Sequence, residues 1–263
     1  MISKTLDNKA LDNKALDNKT LENKILVLGD IHGRTIWKDI IDLEQPDLTI
    51  FLGDYVSTHD HVITEQNQID NLENILKYKE SHPDKVIMLR GNHDTQHLGY
   101  YWAECSGYCR KVGEYMISNK DRFLENTQWI HVIGDTIFSH AGISKPWMDN
   151  SHIDNVLNIN ELEPSELFGF TSDRIFDMCG DSKTQPPTWI RPATLAQHCI
   201  DDYDQVVGHT PVKNLTNISK AVKHNRNILL CDCLGTSREY LLFNPESDEK
   251  FIIKKYTKFK DGK

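Results

Sequence analysis

The sequence predicts an α/β protein, a four-layer α/β/β/α sandwich in which two mixed sheets pack face to face with helices outside. Three observations predict this architecture. Nearly continuous apolar runs alternate with segments of helical spacing between residues 24 and 89. The second half of the chain is rich in short strand-like runs, and polar clusters follow directly after several strands in both halves.

The first part of the chain predicts parallel βαβ units. In chain order the predicted elements are a strand at 25–28, a helix at 35–43, a strand at 48–52, a helix through 69–76 that ends before 81–83, and a strand at 86–89. The helices are predicted from apolar spacings of three and four, as in Ile36, Ile40 and Leu43. Because the strands are almost wholly apolar, both of their faces are expected to be buried, which is typical of parallel strands with right-handed crossovers.

The rest of the chain has a less regular pattern. Residues 99–120 are rich in aromatic side chains and are predicted to be helical, and residues 146–192 form a mixed stretch interrupted by Pro and Gly. These regions separate further strand-like runs, and an α/β front followed by a strand-rich back suggests two sheets packed face to face. The predicted strands lie at 130–132, 136–139, 205–208, 227–231, 240–243 and 251–256.

The first 24 residues contain a repeated five-residue unit: TLDNK, ALDNK, ALDNK and TLENK. A period of five suits neither the helix nor the strand, so its leucines would spiral around a helix instead of lining one face. We interpret residues 1–24 as a mobile or weakly helical low-complexity extension, with an oligomerisation tail as the alternative. Residues 25–263 are predicted to form one domain.

The composition limits the classes of function. The formal net charge of −9 argues against general affinity for nucleic acid or anionic membranes, which are bound by clustered Lys and Arg. No apolar run approaches the roughly 18 residues of a spanning helix, and the start lacks a basic segment followed by an apolar one, so we expect a soluble, cytoplasmic protein. The cysteine spacing forms no paired zinc pattern, and we interpret the six cysteines as reduced, mostly buried thiols: Cys105, Cys109, Cys179, Cys199, Cys231 and Cys233.

Polar clusters follow the predicted strands at the ends where ligands bind in open parallel sheets. The first three strands end in GDIHG (29–33), GDY (53–55) and RGNHD (90–94), and two later strands end in SHAG (139–142) and GHT (208–210). Carboxylate, imidazole and amide groups suit divalent manganese, iron or zinc, and the absence of thiolates argues against a closed structural zinc site. The candidate ligands are Asp30, His32, Asp54, Asn92, His140 and His209.

This series of motifs resembles the calcineurin-like metallophosphoesterase superfamily. More narrowly, RGNHD and the GHTP form of the last motif are similar to the phosphoprotein phosphatases and their bacterial and phage relatives. The five motifs occur in the order of the family, from about residue 25 to about residue 210. The resemblance implies a metal-dependent phosphoric ester hydrolase with two divalent metal ions, of which manganese is favoured, with iron or zinc as alternatives.

The resemblance also implies how the ligands divide between the two ions. Residues two apart in an extended segment point the same way, so Asp30 and His32 can meet one ion. The implied set is Asp30 and His32 on the first ion, Asn92, His140 and His209 on the second, and Asp54 on both. Two such ions can hold a bridging hydroxide, which is the expected nucleophile, so that no covalent phosphoenzyme is needed.

His93 follows Asn92 directly and fits the general acid that protonates the leaving oxygen. The alternative for His93 is a surface histidine bonded to its neighbour. The resemblance implies that Asp94 orients the imidazole of His93 and raises its pKa. His93 and Asp94 are therefore the predicted catalytic pair.

The second motif departs from the family pattern. Phosphoprotein phosphatases usually continue it as GDYVDRG, whose arginine grips the substrate phosphate, but this chain has Ser57 and Thr58 at the usual Asp and Arg. Another cation is then expected to neutralise the phosphate, unless the metals suffice. The candidates are Arg34, Arg90 and Arg191. For Arg90 and Arg191 the alternative is a structural salt bridge.

The leading functional interpretation is hydrolysis of phosphate monoesters in a phosphoprotein or a small phosphorylated metabolite. The first alternative is a phosphodiesterase or nucleotide pyrophosphohydrolase acting on a dinucleoside polyphosphate type of substrate, and the second is an inactive binding scaffold. A nuclease is disfavoured because such enzymes resemble GHxH where this chain has GHTP. The aromatic residues 100–102 are interpreted as core, with a substrate-stacking platform as the alternative.

Overall fold

The computed structural model describes residues 24–171, 180–219 and 225–257. Apart from Lys24, the repeat extension lies outside these residues, as does Cys179, so the predicted extension and its boundary stay predictions. Five of the cysteines lie within the described ranges, and all five are free thiols. No helix in those ranges is both long enough and apolar enough to cross a bilayer.

The helices and strands follow one another along the chain as β1 (Ile25–Leu28), α1 (Ile36–Glu44), β2 (Leu48–Phe51), α2 (Glu65–Ser81), β3 (Val86–Met88), α3 (Asn92–Gln96), α4 (Arg110–Ser118), α5 (Lys120–Asn126), β4 (Ile130–Ile133), β5 (Thr136–Ser139), α6 (Lys145–Asn150), α7 (Pro192–His198), β6 (Asp204–Val207), β7 (Thr216–Asn217), β8 (Ile228–Leu230), β9 (Glu239–Phe243) and β10 (Phe251–Lys255). The predicted βαβ units at the front of the chain are confirmed, because β1, β2 and β3 pair in parallel through α1 and α2.

Two mixed sheets form the centre of the molecule. The first has the strand order β10-β9-β1-β2-β3, and the second has the order β4-β5-β6-β8-β7. The last two strands return to the first sheet, where β9 pairs antiparallel with β1 and β10 pairs antiparallel with β9. The local sequence pattern predicts β9 and β10 as strands but does not predict their partners. Strand partners depend on long-range packing, which a local pattern does not record.

Side-chain alternation in β1 explains how the layers pack. Leu26 and Leu28 lie in the hydrophobic cluster that also contains residues of α1 and α2. Ile25 and Val27 point to the other face and pack with Phe138 of the second sheet. Both faces of β1 are therefore buried, and the predicted four-layer α/β/β/α sandwich is confirmed.

The less regular regions differ from their predictions for identifiable reasons. Within the predicted helix at 99–120, residues 110–118 form α4 and Lys120 begins α5, whereas Gly107 adopts a φ of +77° and lies in a turn before α4. In the mixed stretch, Pro146 and Pro192 stand in the first turns of α6 and α7. Proline suits that position because the N–H it lacks has no partner there in any helix. Each of these prolines begins a helix instead of breaking one.

The parallel strands of both sheets end at one edge of the sandwich. The carboxyl ends of β1 and β2 meet those of β5 and β6 there, and hydrogen bonds connect the following loops. The backbone N–H of His209, after β6, donates to both Asp30 oxygens at 3.0 and 3.1 Å, and His140 Nδ1, after β5, donates to the carbonyl of Leu52 at 2.8 Å. This edge therefore gathers the motif residues of both sheets into one place.

Arg122 of α5 connects two helices on the outside of the first sheet. Its guanidinium donates to Glu73 at 2.7 Å and to both oxygens of Glu80 at 2.6 and 2.9 Å. These hydrogen bonds lower the pKa of Glu73 from its usual 4.5 to about 2. A depressed carboxyl pKa contributes stability that is present above pH 4.5 and is lost as the pH falls towards 2.

We predict that Arg122→Ala lowers the free energy of unfolding by about 1 kcal/mol at pH 7, and that its difference from the unmodified protein shrinks between pH 4.5 and pH 2. Urea denaturation at several pH values measures both quantities. Arg110→Ala is the matched control, because Arg110 forms an exposed ion pair with Glu114 in the next turn of α4. Equal losses in the two variants would contradict the assignment of stability to the α2–α5 connection.

Candidate metal centre

Three of the predicted ligands have an unusual backbone conformation. His32, Asp54 and His209 have φ values of 45°, 50° and 63°, in the left-handed region that non-glycine residues rarely adopt. Such conformations cost free energy and persist where surrounding contacts maintain them, most often at functional sites. The three residues therefore mark this edge of the sandwich as a candidate site before any chemistry is considered.

Close backbone approach explains two of the motif glycines. A Cβ atom on Gly91 would lie 2.0 Å from Asp54 Oδ1, and one on Gly208 would lie 2.1 Å from Asp30 Oδ1. Neither glycine has a positive φ, so the requirement comes from the space that the two carboxylates occupy. Gly91 and Gly208 therefore leave the space that the carboxylates of Asp54 and Asp30 occupy.

One group of possible metal ligands consists of Asp30, His32 and Asp54, whose ligand atoms lie within 4.8 Å of one another. His32 Nε2 is 3.7 Å from Asp30 Oδ2 and 4.0 Å from Asp54 Oδ2. His32 Nδ1 is 2.9 Å from the carbonyl of Val56. Since a carbonyl only accepts, Nδ1 carries the proton, and Nε2 of the neutral ring presents its lone pair towards the two carboxylates.

A second group consists of Asp54, His140 and His209, again within 4.8 Å. His140 Nε2 is 3.4 Å from Asp54 Oδ2, and the donation of Nδ1 to Leu52 leaves Nε2 free to act as a ligand. Asn92 completes this group, because its Oδ1 is 3.0 Å from both His140 Nε2 and His209 Nδ1. Asp54 belongs to both groups, as the predicted bridging position requires.

The donor chemistry fits divalent cations. Carboxylates, imidazoles and an amide oxygen converge from both sheets, and the buried Nε2 of His209 has no hydrogen-bond partner. Burial and the charge of Asp232 raise the pKa of Asp30. Burial acts in the same direction on Asp54, but His140 and His93 outweigh it and lower the pKa of Asp54. Several buried carboxylates at such close range favour a bound positive charge.

His93 lies beside the first group. Its backbone N–H donates to Asp54 Oδ1 at 3.0 Å, and its ring packs edge-on against that of His32 with 5.6 Å between ring centres. Burial lowers the pKa of the His93 imidazole, while Asp54 raises it to a smaller extent. The imidazole thus stands next to the shared carboxylate and the first ligand group.

Comparison with known proteins identifies the family. The sequence model of the calcineurin-like phosphoesterase family matches residues 23–231, which is most of the chain. The chain belongs to this family. It is therefore grouped with hydrolases that act on phosphoesters, and divalent metal ions are the cofactors that the family implies.

Two curated relatives are serine/threonine-protein phosphatases. A PP2A-like phosphatase of Saccharomyces cerevisiae is 26% identical over 188 residues, which are 66% of this chain and 46% of the relative. A phosphatase of Caenorhabditis elegans is 29% identical over 134 residues, which are 46% of this chain and 27% of the relative. The matched region thus spans less than half the length of each relative. Both support the phosphoprotein phosphatase type within the superfamily.

Solved structures support the same fold. A cold-active protein-tyrosine phosphatase from a psychrophilic Shewanella has a TM-score of 0.54 and 18% identity, with 85% of this chain and 76% of that chain covered. A serine/threonine phosphatase from Saccharomyces cerevisiae, described as similar to human PP5, has a TM-score of 0.54 and 16% identity, with 92% and 82% covered. At sequence identities this low, the two structures show that this calcineurin-like phosphoesterase shares their fold.

The predicted role of Asp94 as the partner of the His93 imidazole is wrong. Asp94 accepts three backbone N–H groups at 2.8 Å, from Asp54, Tyr55 and Gly91. The two side chains are consecutive in α3, and consecutive helical residues point in different directions. Burial, followed by the charge of Asp54, raises the pKa of Asp94 to about 7, against the effect of the backbone hydrogen bonds. Asp94 therefore connects the loop after β2 to the loop after β3.

The prediction that Arg90 contacts substrate phosphate is also wrong. Its side chain is buried, with Nε donating to Thr127 Oγ1 at 2.8 Å and Nη2 donating to the carbonyls of Leu124 and Thr127 at 2.9 and 2.7 Å. The guanidinium also packs on the ring of Trp129 at 4.7 Å. Arg90 joins the first sheet to the segment before β4.

The other two candidate arginines differ in position. Arg191 Nη1 donates to Thr210 Oγ1 at 3.1 Å, and its charge contributes, after burial and His140, to lowering the pKa of His209. Arg34 donates to the carbonyl of Ile31 at 3.4 Å and would touch a Cβ atom built on Gly235. Arg191 is therefore next to the second ligand group, whereas Arg34 contacts Ile31 in the loop after β1 and approaches Gly235.

The aromatic residues 100–102 divide between the two interpretations. Tyr100 and Trp102 stack with 4.9 Å between ring centres, and each packs against a hydrophobic cluster. Lys120 Nζ lies 3.6 Å from the centre of the Tyr100 ring. The core interpretation therefore suits these two rings. Tyr101 is 78% exposed and donates to Glu166.

Asp232, a buried carboxylate at the edge where the parallel strands end, is not among the predicted site residues. It follows β8, and a Cβ atom on Gly29 would lie 3.2 Å from its Cα. Burial raises the pKa of Asp232, and its electrostatic interaction with His32 acts in the opposite direction. The signal was present, because Asp232 follows an apolar strand just as Asp30 and Asp54 do.

We predict that Gly91→Ala weakens Mn²⁺ binding by about 10- to 100-fold, as expected when the support of a metal ligand is disturbed, because the new methyl group displaces Asp54. Isothermal titration calorimetry on folded protein measures the affinity. Gly134→Ala is the control for backbone strain away from the ligands: it strains a φ of +58° in the turn between β4 and β5, but its Cβ meets no atom of the described residues within 4 Å. Unchanged affinity in Gly91→Ala would contradict the close-approach argument.

Proposed function

We propose that the protein is a metal-dependent phosphatase that hydrolyses phosphate monoesters. One observation carries the proposal: the two groups of possible metal ligands share Asp54, and the backbone N–H of the candidate acid His93 donates to that same carboxylate. Two divalent ions bound there would lower the pKa of a water molecule and neutralise phosphate charge. Oxygen and nitrogen donors without thiolates favour manganese, with iron or zinc as alternatives.

Asp54 has a central role in this proposal. Its Oδ1 accepts from His93, and its Oδ2 lies 3.4 Å from His140 Nε2 and 4.0 Å from His32 Nε2. The carboxylate is thus held on one oxygen, while the other faces imidazoles of both groups. In this arrangement Asp30 and His32 bind the first ion, and Asn92, His140 and His209 bind the second.

His93 is the proposed general acid. A leaving alkoxide or phenoxide needs a proton as the phosphorus–oxygen bond breaks, and a positioned imidazole is the side chain that most often supplies one. The His93 ring lies next to the ring of His32, so it borders the first-ion ligands. This role requires the His93 ring to present a proton to the leaving oxygen as the phosphorus–oxygen bond breaks.

Arg191 is the proposed phosphate-binding arginine. Its neighbour Thr210 follows the ligand His209, so the guanidinium borders the second ligand group. A guanidinium can hold two phosphate oxygens at once, which compensates for Thr58 at the usual arginine of the second motif. The serine/threonine phosphatase relatives support a phosphoprotein as the substrate, with a small phosphorylated metabolite as the alternative.

We predict that the protein hydrolyses p-nitrophenyl phosphate with added Mn²⁺, and that Asp54→Asn lowers kcat by about 100-fold or more, because the bridge between the two ligand groups is weakened. Initial rates with and without a chelator test both statements. Asp149→Asn is the matched control, because it makes the same change at an exposed side chain of α6. Metal binding without turnover in the unmodified protein would refute the monoesterase proposal and favour a phosphodiester or pyrophosphate substrate.

We predict that Arg191→Ala raises KM for the same ester, and the inhibition constant of inorganic phosphate, by about 10- to 100-fold, as for loss of a charged hydrogen bond. Arg90→Ala should instead lower the melting temperature, because it removes a buried network. Steady-state kinetics and thermal denaturation of both variants separate the two roles. A normal phosphate inhibition constant in Arg191→Ala would remove Arg191 from the phosphate site.

A further inference from the structure

We propose that Gln96 positions the imidazole of His93 to donate a hydrogen bond to the departing oxygen. The inference rests on the function proposed above, in which His93 is the general acid. Gln96 is the last residue of α3 and lies three positions after His93, a spacing that places two helical side chains on the same side. Its Nε2 is 3.0 Å from His93 Nδ1, and its side chain is buried.

The surroundings of Gln96 determine the orientation of its amide. Nε2 lies 3.1 Å from the carbonyl of Ser106, and only the NH₂ end can donate to a carbonyl. The same nitrogen lies 3.2 Å from Ser57 Oγ. The opposite end of the amide, Oε1, is buried and has no hydrogen-bond partner among the described residues. Gln96 therefore presents the NH₂ end of its amide to Nδ1 of the His93 ring.

This contact has a consequence for the state of His93. When Gln96 donates to Nδ1, Nδ1 must be the unprotonated nitrogen of the neutral imidazole. The ring proton then resides on Nε2, at the edge of the ring away from Gln96. In this neutral form Nε2–H can donate a hydrogen bond to the departing oxygen and stabilise its developing negative charge, provided that the ring keeps the orientation that the hydrogen bond to Gln96 maintains.

The carboxylate that could have had this role is occupied elsewhere. Both Asp94 oxygens accept backbone N–H groups. Besides Gln96, the described partner of His93 Nδ1 is the Cys105 thiol at 3.7 Å, a weak donor. Among the residues that the structure describes around this nitrogen, Gln96 is the amide donor at full hydrogen-bond distance.

Gln96 also holds the loops that enclose the ring. Ser57 belongs to the loop after β2, and Ser106 belongs to the loop before α4. A Cβ atom on Gly107 would lie 3.6 Å from Ser57 Cβ and 3.7 Å from His93 Cε1, so the second loop packs directly on the imidazole. One buried amide thus connects the candidate acid to both loops that restrict its movement.

Leaving-group dependence tests the inference, because a general acid matters most when the departing oxygen is strongly basic. We expect Gln96→Ala to lower kcat for phenyl phosphate by about tenfold more than kcat for p-nitrophenyl phosphate. Gln96→Met fills much of the same space without donating a hydrogen bond, so it should show the same selective loss. Gln68→Ala is the matched control: Gln68 is equally buried and accepts from the backbone of Ser57 at 2.8 Å. It should lower both rates by equal factors.

A second readout reports the ring directly. In the metal-free protein labelled with ¹⁵N-histidine, long-range proton–nitrogen correlation distinguishes the two neutral forms, and the signals of His93 are those lost in His93→Ala. We expect a protonated Nε2 in the unmodified protein, and a mixture of both forms in Gln96→Met. A protonated Nδ1 in the unmodified protein would overturn the inference.

The kinetic outcomes separate the inference from the proposed function. Equal loss on both esters in Gln96→Ala and Gln96→Met, or no loss, would overturn the role of Gln96 while the phosphatase proposal stands. Failure of the unmodified, manganese-loaded protein to hydrolyse either ester would overturn the proposed function, and the inference with it. A selective loss on phenyl phosphate that Gln68→Ala does not share would support the positioning role.

Discussion

The hydrogen bonds accepted by Asp94 are the constraint on which the site depends. One buried carboxylate binds the backbone N–H groups of Asp54, Tyr55 and Gly91, and so joins the loop after β2 to the loop after β3. It holds Asp54 in its left-handed conformation, and it fixes the start of α3, which carries Asn92. The left-handed backbone conformation of Asp54 costs free energy, and the hydrogen bond to Asp94 helps to maintain it.

The second sheet completes the site through comparable contacts. The backbone of His209 donates to Asp30, and the ring of His140 donates to the carbonyl of Leu52. Each contact crosses from one sheet to the other, so the two ligand groups approach each other only when the sheets are packed. Burial between the sheets therefore stabilises the fold and assembles the site, and neither sheet alone has the complete ligand set.

Much of this arrangement is predictable from local sequence, and the exceptions have physical causes. Apolar runs that end in Asp, Asn or His correctly predict β1, β2 and β3 and bring together the side chains from Asp30 to His209. The pairing of β9 and β10 with the first sheet is not predictable in this way, because partner choice depends on packing between distant segments. Pro146 and Pro192 mislead because proline begins helices as readily as it ends them.

The failures at the site have one cause, which is side-chain direction. Asp94 and Arg90 lie within two residues of candidate site residues in the sequence, yet the Asp94 side chain binds backbone N–H groups and the Arg90 side chain binds Thr127. Gln96, outside every motif, shares a helical face with His93 because it lies three residues further along α3. A motif records which residues are neighbours along the chain, whereas a catalytic contact depends on which residues face each other. Helical spacing applied to α3 from its first residue would have favoured Gln96 over Asp94.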